Sequence, residues 1–487
     1  MRRTSAPVVL CGCLVLAVAG CGSGGGNDGQ GTGGSNGTAG TGGATGTGGT
    51  GGAIATAGTG GSATAGTGGG SGCVTASSAI STKIGTVGIV MWSTTMAGAT
   101  SAKIDFGLTT SYGMTAPVAT VQASNRTLLL GMKTQRTYNY KITVMGSGGS
   151  CESQNYTIMT GSLPTGLMKP TLSPVTATGL SGGFLITAQY QGTPTTAFIL
   201  DADGDYVWAY GGIGGALTGA RMSYDGQYMW INNANVPDMQ AVVYRVSMDG
   251  LTADNYSSQF ARMNHQMAIL PDETVAYYAY GTNGCDDVKE FKASGAAPNG
   301  TGKTVVNSKT TLGINDPMCH LNNIQYSKED DSLVFSNLQS SQIAKVKRSD
   351  GSRVWILNGS TATITGISWK GGNHGIHLLA LDRILIFNNN STMLGGTGPS
   401  MAKEYTFSGT SGTEVWSYTA SPSQPNMVMG DVQRMPNGNT IVAFSTRGVI
   451  DEVNAQGMLL QRITSAGAGA TFGYIEKRPT LYGPPPR

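Results

Sequence analysis

Charged residues are scarce in this sequence, and neither sign of charge is in large excess. Only 12% of the residues are charged, with 30 lysines and arginines against 27 aspartates and glutamates. A net charge of +3 gives no reason to expect a nucleic-acid partner. The 75 glycines, together with many threonines and serines, favour strands and loops over helices.

Three further patterns are missing. After the first twenty residues no stretch of about 18 uninterrupted apolar residues occurs, so we predict no transmembrane helix. No amphipathic helical pattern interrupts residues 168–475, and no pair of cysteines has the C-x-x-C spacing of a structural zinc site. We therefore expect an all-β protein.

The first residues have the pattern of an export signal. Arg2 and Arg3 precede an apolar run over residues 8–18, and Val18-Ala19-Gly20-Cys21 closes it. This ending resembles a bacterial lipobox, although an ordinary secretory leader with an incidental cysteine is the alternative. The resemblance implies a signal peptide over residues 1–20 and lipidation of Cys21. Gly22 in the next position resembles lipoproteins of the outer membrane, so we expect an extracytoplasmic protein at the outer membrane or cell surface. Residues 21–72 are almost only glycine, threonine, serine and alanine, which predicts a disordered tether.

Four cysteines remain after the leader and Cys21. Export permits disulfides, and four cysteines allow three pairings. Cys73 and Cys151 bracket one candidate domain, whereas Cys285 and Cys319 lie in the next. These positions favour the pairs Cys73–Cys151 and Cys285–Cys319.

Residues 73–162 are predicted to form a small β-sandwich. Tyr138, Tyr140, Ile142 and Val144 alternate with polar residues, as in a half-buried strand. Leu130-Gly131-Met132 followed by Thr137-Tyr138-Asn139-Tyr140 resembles the tyrosine corner of fibronectin type III domains. A spacer or docking role is the expected one, because the segment has no cluster of ionisable residues.

Residues 168–475 contain two alternating repeats. One is a turn followed by a short strand ending in tryptophan, at Trp208, Trp355 and Trp416. The other is a hairpin signal such as Leu270-Pro271-Asp272-Glu273 or Met435-Pro436-Asn437-Gly438. Repeated four-stranded units of about 40 to 50 residues are typical of a β-propeller, and this length predicts six blades, with seven as the alternative. Residues 476–487 are interpreted as a tail.

Asp201, Asp203 and Asp205 form an alternating acidic turn beside Gly204. Alternating carboxylates can bind calcium. The related turns at Asp350 and Ser411 lack the triple acid, so we interpret the segment as a surface turn.

Three of the four histidines fall in register with the repeat. His265 and His374 each precede a hairpin signal by five residues, and His320 lies between them. The spacings are 55 (320 minus 265) and 54 (374 minus 320). Equivalent positions on the innermost strands of adjacent blades surround the channel, so the three rings should converge. His377 is an odd number of positions from His374, should face the other way, and is interpreted as structural. Three histidines also form a catalytic zinc shell, so a metal site is an alternative, although no nearby carboxylates are evident to orient such ligands.

Several segments of the repeat region are similar to one known family of enzymes: Asp316 to Ile324, Asp331 to Ser336, Lys345 to Gly359, His374 with Ile384 to Asn389, and Val432 to Thr440. Together they resemble the bacterial arylsulfotransferases that work without a nucleotide sulfate cofactor. The resemblance implies that His374 is the nucleophile that takes a sulfuryl group from a phenolic sulfate ester and passes it to a phenol. It implies roles for His265 and His320 at the sulfuryl oxygens or the phenol proton, and for Asn322 in orienting the site. It implies no cofactor, and as partners only phenolic sulfates and phenols besides the membrane.

One position departs from the family. Where the family has an arginine, eighteen residues after the second histidine, this sequence has Leu338. Arg221 or Arg262 would be the replacement cations. The departure makes a non-catalytic propeller that binds a ligand or partner a competing hypothesis, beside a histidine-ligated metal enzyme.

Overall fold

The protein is described here by a computed structural model. It describes residues 72–175, 178–192, 194–233, 241–281, 285–293, 302–313, 319–467 and 469–486. The predicted signal peptide, the lipidation of Cys21 and nearly all of the tether lie outside these residues.

Residues 73–162 form two antiparallel sheets. The eight strands are β1 (Val74–Ile80), β2 (Gly88–Thr94), β3 (Ala99–Gly107), β4 (Met114–Val118), β5 (Asn125–Leu129), β6 (Thr137–Gly146), β7 (Gly149–Glu152) and β8 (Tyr156–Met159). One sheet has the order β1-β2-β5, and the other β4-β3-β6-β7 with β8 also paired to β6. The alternation predicted for β6 puts Tyr138, Tyr140 and Ile142 into the core between the sheets. The Tyr138 hydroxyl accepts a hydrogen bond from the backbone N–H of Lys133, 2.8 Å away, as in a tyrosine corner.

The remaining strands build the propeller. In chain order they are β9 (Thr171–Pro174), β10 (Phe184–Gln191), β11 (Thr196–Leu200), β12 (Tyr206–Gly211), β13 (Leu217–Met222), β14 (Tyr228–Asn233), β15 (Val242–Ser247), β16 (Ala253–Asn255), β17 (Met263–Ile269), β18 (Thr274–Tyr280), β19 (Asp286–Lys292), β20 (Lys303–Asn307), β21 (Leu321–Ser327), β22 (Ser332–Asn337), β23 (Ile343–Lys347), β24 (Arg353–Leu357), β25 (Asn373–Ala380), β26 (Arg383–Asn388), β27 (Met401–Ser408), β28 (Ser411–Thr419), β29 (Asp431–Arg434), β30 (Thr440–Phe444), β31 (Val449–Val453), β32 (Leu459–Thr464), β33 (Thr471–Phe472) and β34 (Glu476–Arg478).

These strands form six antiparallel sheets in the described residues, which confirms the all-β propeller. Four sheets begin with an innermost strand, β13, β17, β21 or β25, and continue outward through the next three strands. The fifth begins with β29, and each of these inner strands adjoins the next around the channel. Each blade is apolar on both faces because it is covered by a blade on either side, as the fully buried strand β11 shows.

The ring is closed by both ends of the propeller segment. β33 and β34 pair with β10 as the innermost strands of the first blade, and β9 pairs with β32 at the outer edge of the last. Residues 476–478, which the sequence led us to place in a tail, are therefore part of a blade. The expected end of the propeller at residue 475 came too early because a three-residue strand gives no periodic signal.

Helices are few in the described part of the chain. It has one α-helix, α1 (Ser308–Leu312), and two 3₁₀ turns, Thr392–Leu394 and Ser445–Arg447. None of these is long and apolar enough to cross a membrane.

Both expected disulfides are present. Cys73 is bonded to Cys151 across the small domain, and Cys285 to Cys319 in the propeller. The second disulfide joins the start of β19 to the residue before His320, so it fixes the backbone that leads into β21.

The small domain is packed against the first two blades, so it is more than a spacer. Ile84 and Val87 share a buried apolar cluster with Met248. The Thr86 hydroxyl donates to the carbonyl of Val207 at 2.7 Å, and Ser81 donates to the carbonyl of Asp249. This continuous core means that the two domains should unfold together.

The acidic turn binds a lysine of the small domain. Lys133 Nζ lies 3.2 Å from Asp201, 2.5 Å from Asp203 and 2.8 Å from Asp205. Burial raises the pKa of Asp201, and Lys133 opposes that rise. The turn is therefore an ion-pair cluster between domains, which goes beyond the surface turn that we expected.

Replacing Lys133 by methionine should destabilise the protein by about 1 to 2 kcal/mol, between the values for exposed and buried ion pairs. The three neighbouring carboxylates would then repel one another, and of the two lysines that contact them Lys169, at Asp205, would remain. Urea unfolding of the variant measures the loss. Lys169→Met is the matched control, since Lys169 pairs with Asp205 rather than with all three carboxylates and is more exposed. Equal stability of Lys133→Met and the wild type would contradict this account.

Candidate functional site

The three predicted histidines lie at one end of the propeller channel. His265 is in β17, His374 is in β25, and His320 directly precedes β21. These three inner strands are neighbours and begin at the same end, which we call the histidine end. The Nε2 atoms of His265 and His320 are 3.0 Å apart, and the ring centroids of His265 and His374 are 6.5 Å apart. The structure thus brings together three side chains that are separated by a blade length of sequence.

The imidazole of His374 is held in one orientation by Asn389. Its Nδ1 is 2.6 Å from the Asn389 amide oxygen. The amide nitrogen of Asn389 donates to the carbonyls of Asn426 and Met429, so its oxygen must face the histidine. An amide oxygen only accepts hydrogen bonds, and His374 Nδ1 therefore carries the proton. The lone pair of the neutral ring is left on Nε2.

His265 and His320 form a hydrogen-bonded pair with a defined direction. The Asn264 amide oxygen accepts from the His265 N–H, so its amide nitrogen faces His320 Nδ1 at 3.3 Å. His320 Nδ1 then accepts, and His320 Nε2–H donates to His265 Nε2. The remaining proton lies on His265 Nδ1, which is buried and has no acceptor among the described residues. This N–H is available to an acceptor on a ligand.

All three rings are neutral at ordinary pH. Burial lowers the pKa of His320 to about 4 and that of His374 to about 3, where Asn389 opposes the shift and His320 adds to it. Burial, His320 and His374 also hold the pKa of His265 well below its usual value. A neutral histidine is the nucleophilic form.

Asp286 lies behind the histidine pair. Its carboxylate accepts from the Leu321 N–H at 2.8 Å and from the Asn264 amide at 3.1 Å. Burial raises its pKa to about 7, although these two hydrogen bonds oppose the rise. The sequence analysis did not single out Asp286, because nothing in the spacing places it behind Asn264.

Asn322 is buried next to the site but contacts the backbone rather than a ring. Its amide nitrogen donates to the Asn373 carbonyl at 2.9 Å, and its own carbonyl accepts from the Tyr474 hydroxyl at 2.6 Å. It therefore positions the peptide that precedes His374. Tyr474, which comes from the ring-closing segment, was not anticipated.

Leu338 lies at the histidine end. Its backbone N–H donates to the carbonyl of His320 at 2.9 Å, and its side chain lies beside Gly372. Arg262 is at the same end: it donates to the Tyr280 carbonyl at 2.8 Å, and the Tyr280 ring centroid is 6.1 Å from that of His320. Of the two candidate cations, Arg262 is thus the one near the histidines.

Arg221 and His377 lie further along the channel. Arg221 donates to Asp431 at 3.3 Å and to the Ile475 carbonyl. His377 Nδ1 accepts from the backbone N–H of Arg434 on the next inner strand, at 2.9 Å, and the residue lines the channel cavity. The strict alternation that we used for His377 does not apply, because the pairing register of β25 shifts between Asn373 and Ile376.

The histidines do not form a preorganised zinc shell. His265 and His320 use their Nε2 atoms for the hydrogen bond between them. Within the described residues the only group of three possible ligand atoms that lie within 4.8 Å of one another is Asp201, Asp203 and Asp205. Those carboxylates are already bound by Lys133.

Comparison with known proteins gives no family for this chain. No family model matches the sequence, and no curated protein matches it. Several solved structures have a related shape at low sequence identity. TolB from Acinetobacter baumannii aligns at 12% identity with a TM-score of 0.43, covering 71% of this chain and 81% of TolB. A protein of unknown function from Bacteroides caccae aligns at 12% identity with a TM-score of 0.40, covering 60% and 98%. The β-propeller domain of Cps50 (Swd1) from Myceliophteria thermophila aligns at 10% identity with a TM-score of 0.37, covering 61% and 87%.

Proposed function

We propose that the protein transfers a sulfuryl group from a phenolic sulfate ester to a phenolic acceptor through a sulfohistidine at His374. One observation carries the proposal: Asn389 holds the proton on Nδ1 of His374, so that the neutral ring keeps its lone pair on Nε2. Such a nitrogen is a competent nucleophile without prior deprotonation. The function therefore rests on the site and not on the propeller fold.

In the first step, Nε2 of His374 attacks sulfur as the bond from sulfur to the phenolic oxygen breaks. The departing phenolate accepts a hydrogen bond from the N–H of His265 Nδ1, which stays on the ring, and takes its proton from solvent after release. In the second step the acceptor binds as its phenolate at the same N–H. Its oxygen then attacks sulfur, and the nitrogen–sulfur bond breaks. His265 and His320 thus keep the same protonation throughout the turnover.

The transferred group carries negative charge, and the histidine end has few cations to balance it. Leu338 offers none, and Arg262 is held at the Tyr280 carbonyl. Only 1% of His374 is exposed, so an aryl sulfate reaches Nε2 only when neighbouring side chains move. The same enclosure excludes water and favours transfer over hydrolysis.

The fall of kcat/KM on the acid side of its pH profile should lie far below the pH at which a free histidine is protonated. Because burial lowers the pKa of His374 to about 3 and that of His320 to about 4, both bases stay neutral as the pH falls through the ordinary value of 6.5. We expect the two histidines to leave kcat/KM level from pH about 8 to about 5. Asp286, whose pKa burial raises to about 7, titrates in this range behind the histidine pair, so the profile is compared with that of Asp286→Asn. Initial rates measure both profiles, with circular dichroism as a check on folding. A limb near pH 6.5 that remains in Asp286→Asn would contradict the assigned environments.

Replacing Asn389 by alanine should lower kcat by about 10- to 100-fold, as is typical for residues that orient a functional histidine. Without the amide oxygen, the proton of His374 is no longer confined to Nδ1. The matched control is Asn388→Ala, because Asn388 is equally buried and bonds the carbonyls of Lys370 and Gly372 but not His374. ¹⁵N NMR of the histidine rings should show a changed tautomer only in Asn389→Ala. Equal losses in the two variants would mean that Asn389 is merely structural.

The direct test is incubation of the purified protein with a chromogenic aryl sulfate and a phenol. Release of the chromophore that depends on the acceptor, together with a sulfated acceptor, would support the proposal. No turnover at high protein concentration would contradict it. It would favour a non-catalytic propeller that binds a ligand at the histidine end, the function to which the apolar Leu338 points.

The proposed setting is outside the cytoplasm. The two disulfides are the supporting observation, since disulfides persist in oxidising compartments. Attachment to a membrane through lipid on Cys21 is part of the proposal and rests on the sequence alone. Labelling of the cells with a radioactive fatty acid tests it, and Cys21→Ser should abolish the label.

A further inference from the structure

The channel cavity that His377 lines lies at the other end of the propeller channel, which we call the far end. Its volume is about 400 Å³, within the range of small-molecule sites. Inner strands β13, β17, β21, β25 and β29 line it, together with Pro485 and Pro486. None of the three histidines of the proposed catalytic site is among its lining residues. Its chemistry is therefore separate from the sulfuryl transfer proposed above.

Two hydrogen-bond donors of this cavity have unused hydrogens. Arg221 makes two hydrogen bonds in the described structure, to Asp431 and to the Ile475 carbonyl, out of the five that a guanidinium can donate. His377 Nδ1 accepts from the Arg434 N–H, so the neutral ring carries its proton on Nε2. Arg221 and His377 both line the cavity, and the charges of Arg434 and Arg221 add to burial in lowering the pKa of His377.

The carboxylates of the cavity are already satisfied. Asp431 accepts from Arg221 and from the backbone N–H groups of Val432 and Ile475. Glu476 accepts from Arg478 and from the Met222 N–H. The interior of the cavity therefore has hydrogen-bond donors without partners among the described residues and few free hydrogen-bond acceptors. A ligand that supplies acceptors, and negative charge in particular, is the complement of such a wall.

The rest of the cavity lining consists of apolar or uncharged residues and of charged residues whose charges cancel. Met267, Ile376 and Val432 are buried apolar residues of the inner strands β17, β25 and β29. Lys328 and Glu329 lie exposed at the outer rim, where their charges offset each other. The combination of an apolar wall with an inner pair of donors matches a molecule with one anionic group on an apolar body.

We propose that the far end binds a small organic carboxylate. Its carboxylate oxygens would accept from Arg221 and from Nε2–H of His377, and its apolar part would pack against Met267 and Ile376. The two donors come from different blades, so the ligand would join β13 to β25 across the channel. This site is assigned from the unused donors and the cavity, and it does not depend on the chemistry at His374.

Titration calorimetry of the full-length protein with benzoate tests the proposal, with benzamide as the neutral probe of the same shape and inorganic sulfate as an anion without an apolar body. Benzoate should bind about tenfold or more tightly than either of the other two, because each lacks one of the two recognised features. The protein has four histidines, so ¹⁵N labelling of histidine gives four resolvable rings. Benzoate should shift the signals of His377 and leave those of His374 in place.

Variants separate binding from folding. Arg221→Met alone leaves Asp431 buried without its cation, so the double variant Arg221→Met/Asp431→Asn removes both charges together. We expect this double variant and His377→Phe each to weaken benzoate about tenfold or more while keeping the thermal transition. Arg245→Met is the control, since Arg245 pairs with Asp254 away from the channel. Equal binding of benzoate and benzamide, shifts at His374 instead of His377, or unchanged affinity in the double variant would overturn the proposal.

Discussion

Substitution of His374 by alanine is expected to abolish sulfuryl transfer, with a loss of kcat of about 10⁵-fold or more, the size seen when a covalent nucleophile is removed. The reason is that no other group near the site can replace it. The Nε2 lone pair of His265 already accepts from His320, whereas Nε2 of His374 has no donor among the described residues. Only His374 can therefore form the bond to sulfur.

The measurement is acceptor-dependent release of a chromophore from an aryl sulfate, with the His374→Ala protein at high concentration. His377→Ala is the control, because His377 is a buried histidine of the same strand that bonds Arg434 and does not contact the other three rings. It should keep wild-type activity. A second measurement is mass spectrometry under alkaline quench, which should find a sulfuryl adduct on the peptide with His374 in the wild type. Activity that survives in His374→Ala would end the proposed mechanism.

The position of the three histidines could be predicted because a propeller converts equal spacing along the chain into equal height around an axis. His265, His320 and His374 are each one blade apart, and in the structure their rings meet. The same logic gave the all-β class and the six blades. The two disulfides followed from the order of the cysteines along the chain, since each pair falls within one domain.

The surroundings of the histidines could not be predicted in the same way. Asn389 matters because its amide nitrogen is fixed by carbonyls of residues 426 and 429, in a segment without any periodic pattern. His377 lines the channel although strict alternation would turn it away, because a register shift in β25 breaks the alternation of side chains. Neither feature leaves a trace in composition or spacing, since the first depends on the path of a connecting segment and the second on an irregularity inside a strand.

Closure of the ring by the C-terminal strands could not be predicted from the sequence, and deletion of these strands should have the second large effect. A chain that ends at Ala470 is expected to give no folded propeller. The deletion removes β33 and β34, the inner strands of the first blade, and leaves β10 with an unpaired edge facing the channel. It also removes Tyr474 and Ile475, which are at most 1% exposed. Loss of one buried aromatic side chain costs about 3 to 5 kcal/mol, and a domain has only about 5 to 15 kcal/mol to lose.

The truncation also removes contacts that hold the two ends of the propeller together. Arg478 is buried and donates to the carbonyls of Met222 and Ser223 in the second blade, so it joins the first blade to its neighbour. The Tyr474 hydroxyl reaches across the channel to the Asn322 carbonyl and thus to the histidine end. A propeller in which one blade lacks its inner strand would leave the walls of both proposed sites incomplete, so activity and benzoate binding should disappear together.

Yield of soluble protein and thermal unfolding measure this effect. The control is a chain that ends at Gly483, which keeps β33, β34 and the hydrogen bond from Arg478 to the Gly483 carbonyl. It also keeps Tyr482, whose hydroxyl donates to the Leu128 carbonyl of the small domain at 3.0 Å. This shorter deletion should unfold within a few degrees of the wild type, because it removes no paired strand. A cooperative unfolding transition at the wild-type temperature in the chain ending at Ala470 would show that five complete blades and a partial sixth are enough for a stable fold. The pairing of β33 and β34 with β10 would then not be required to close the ring.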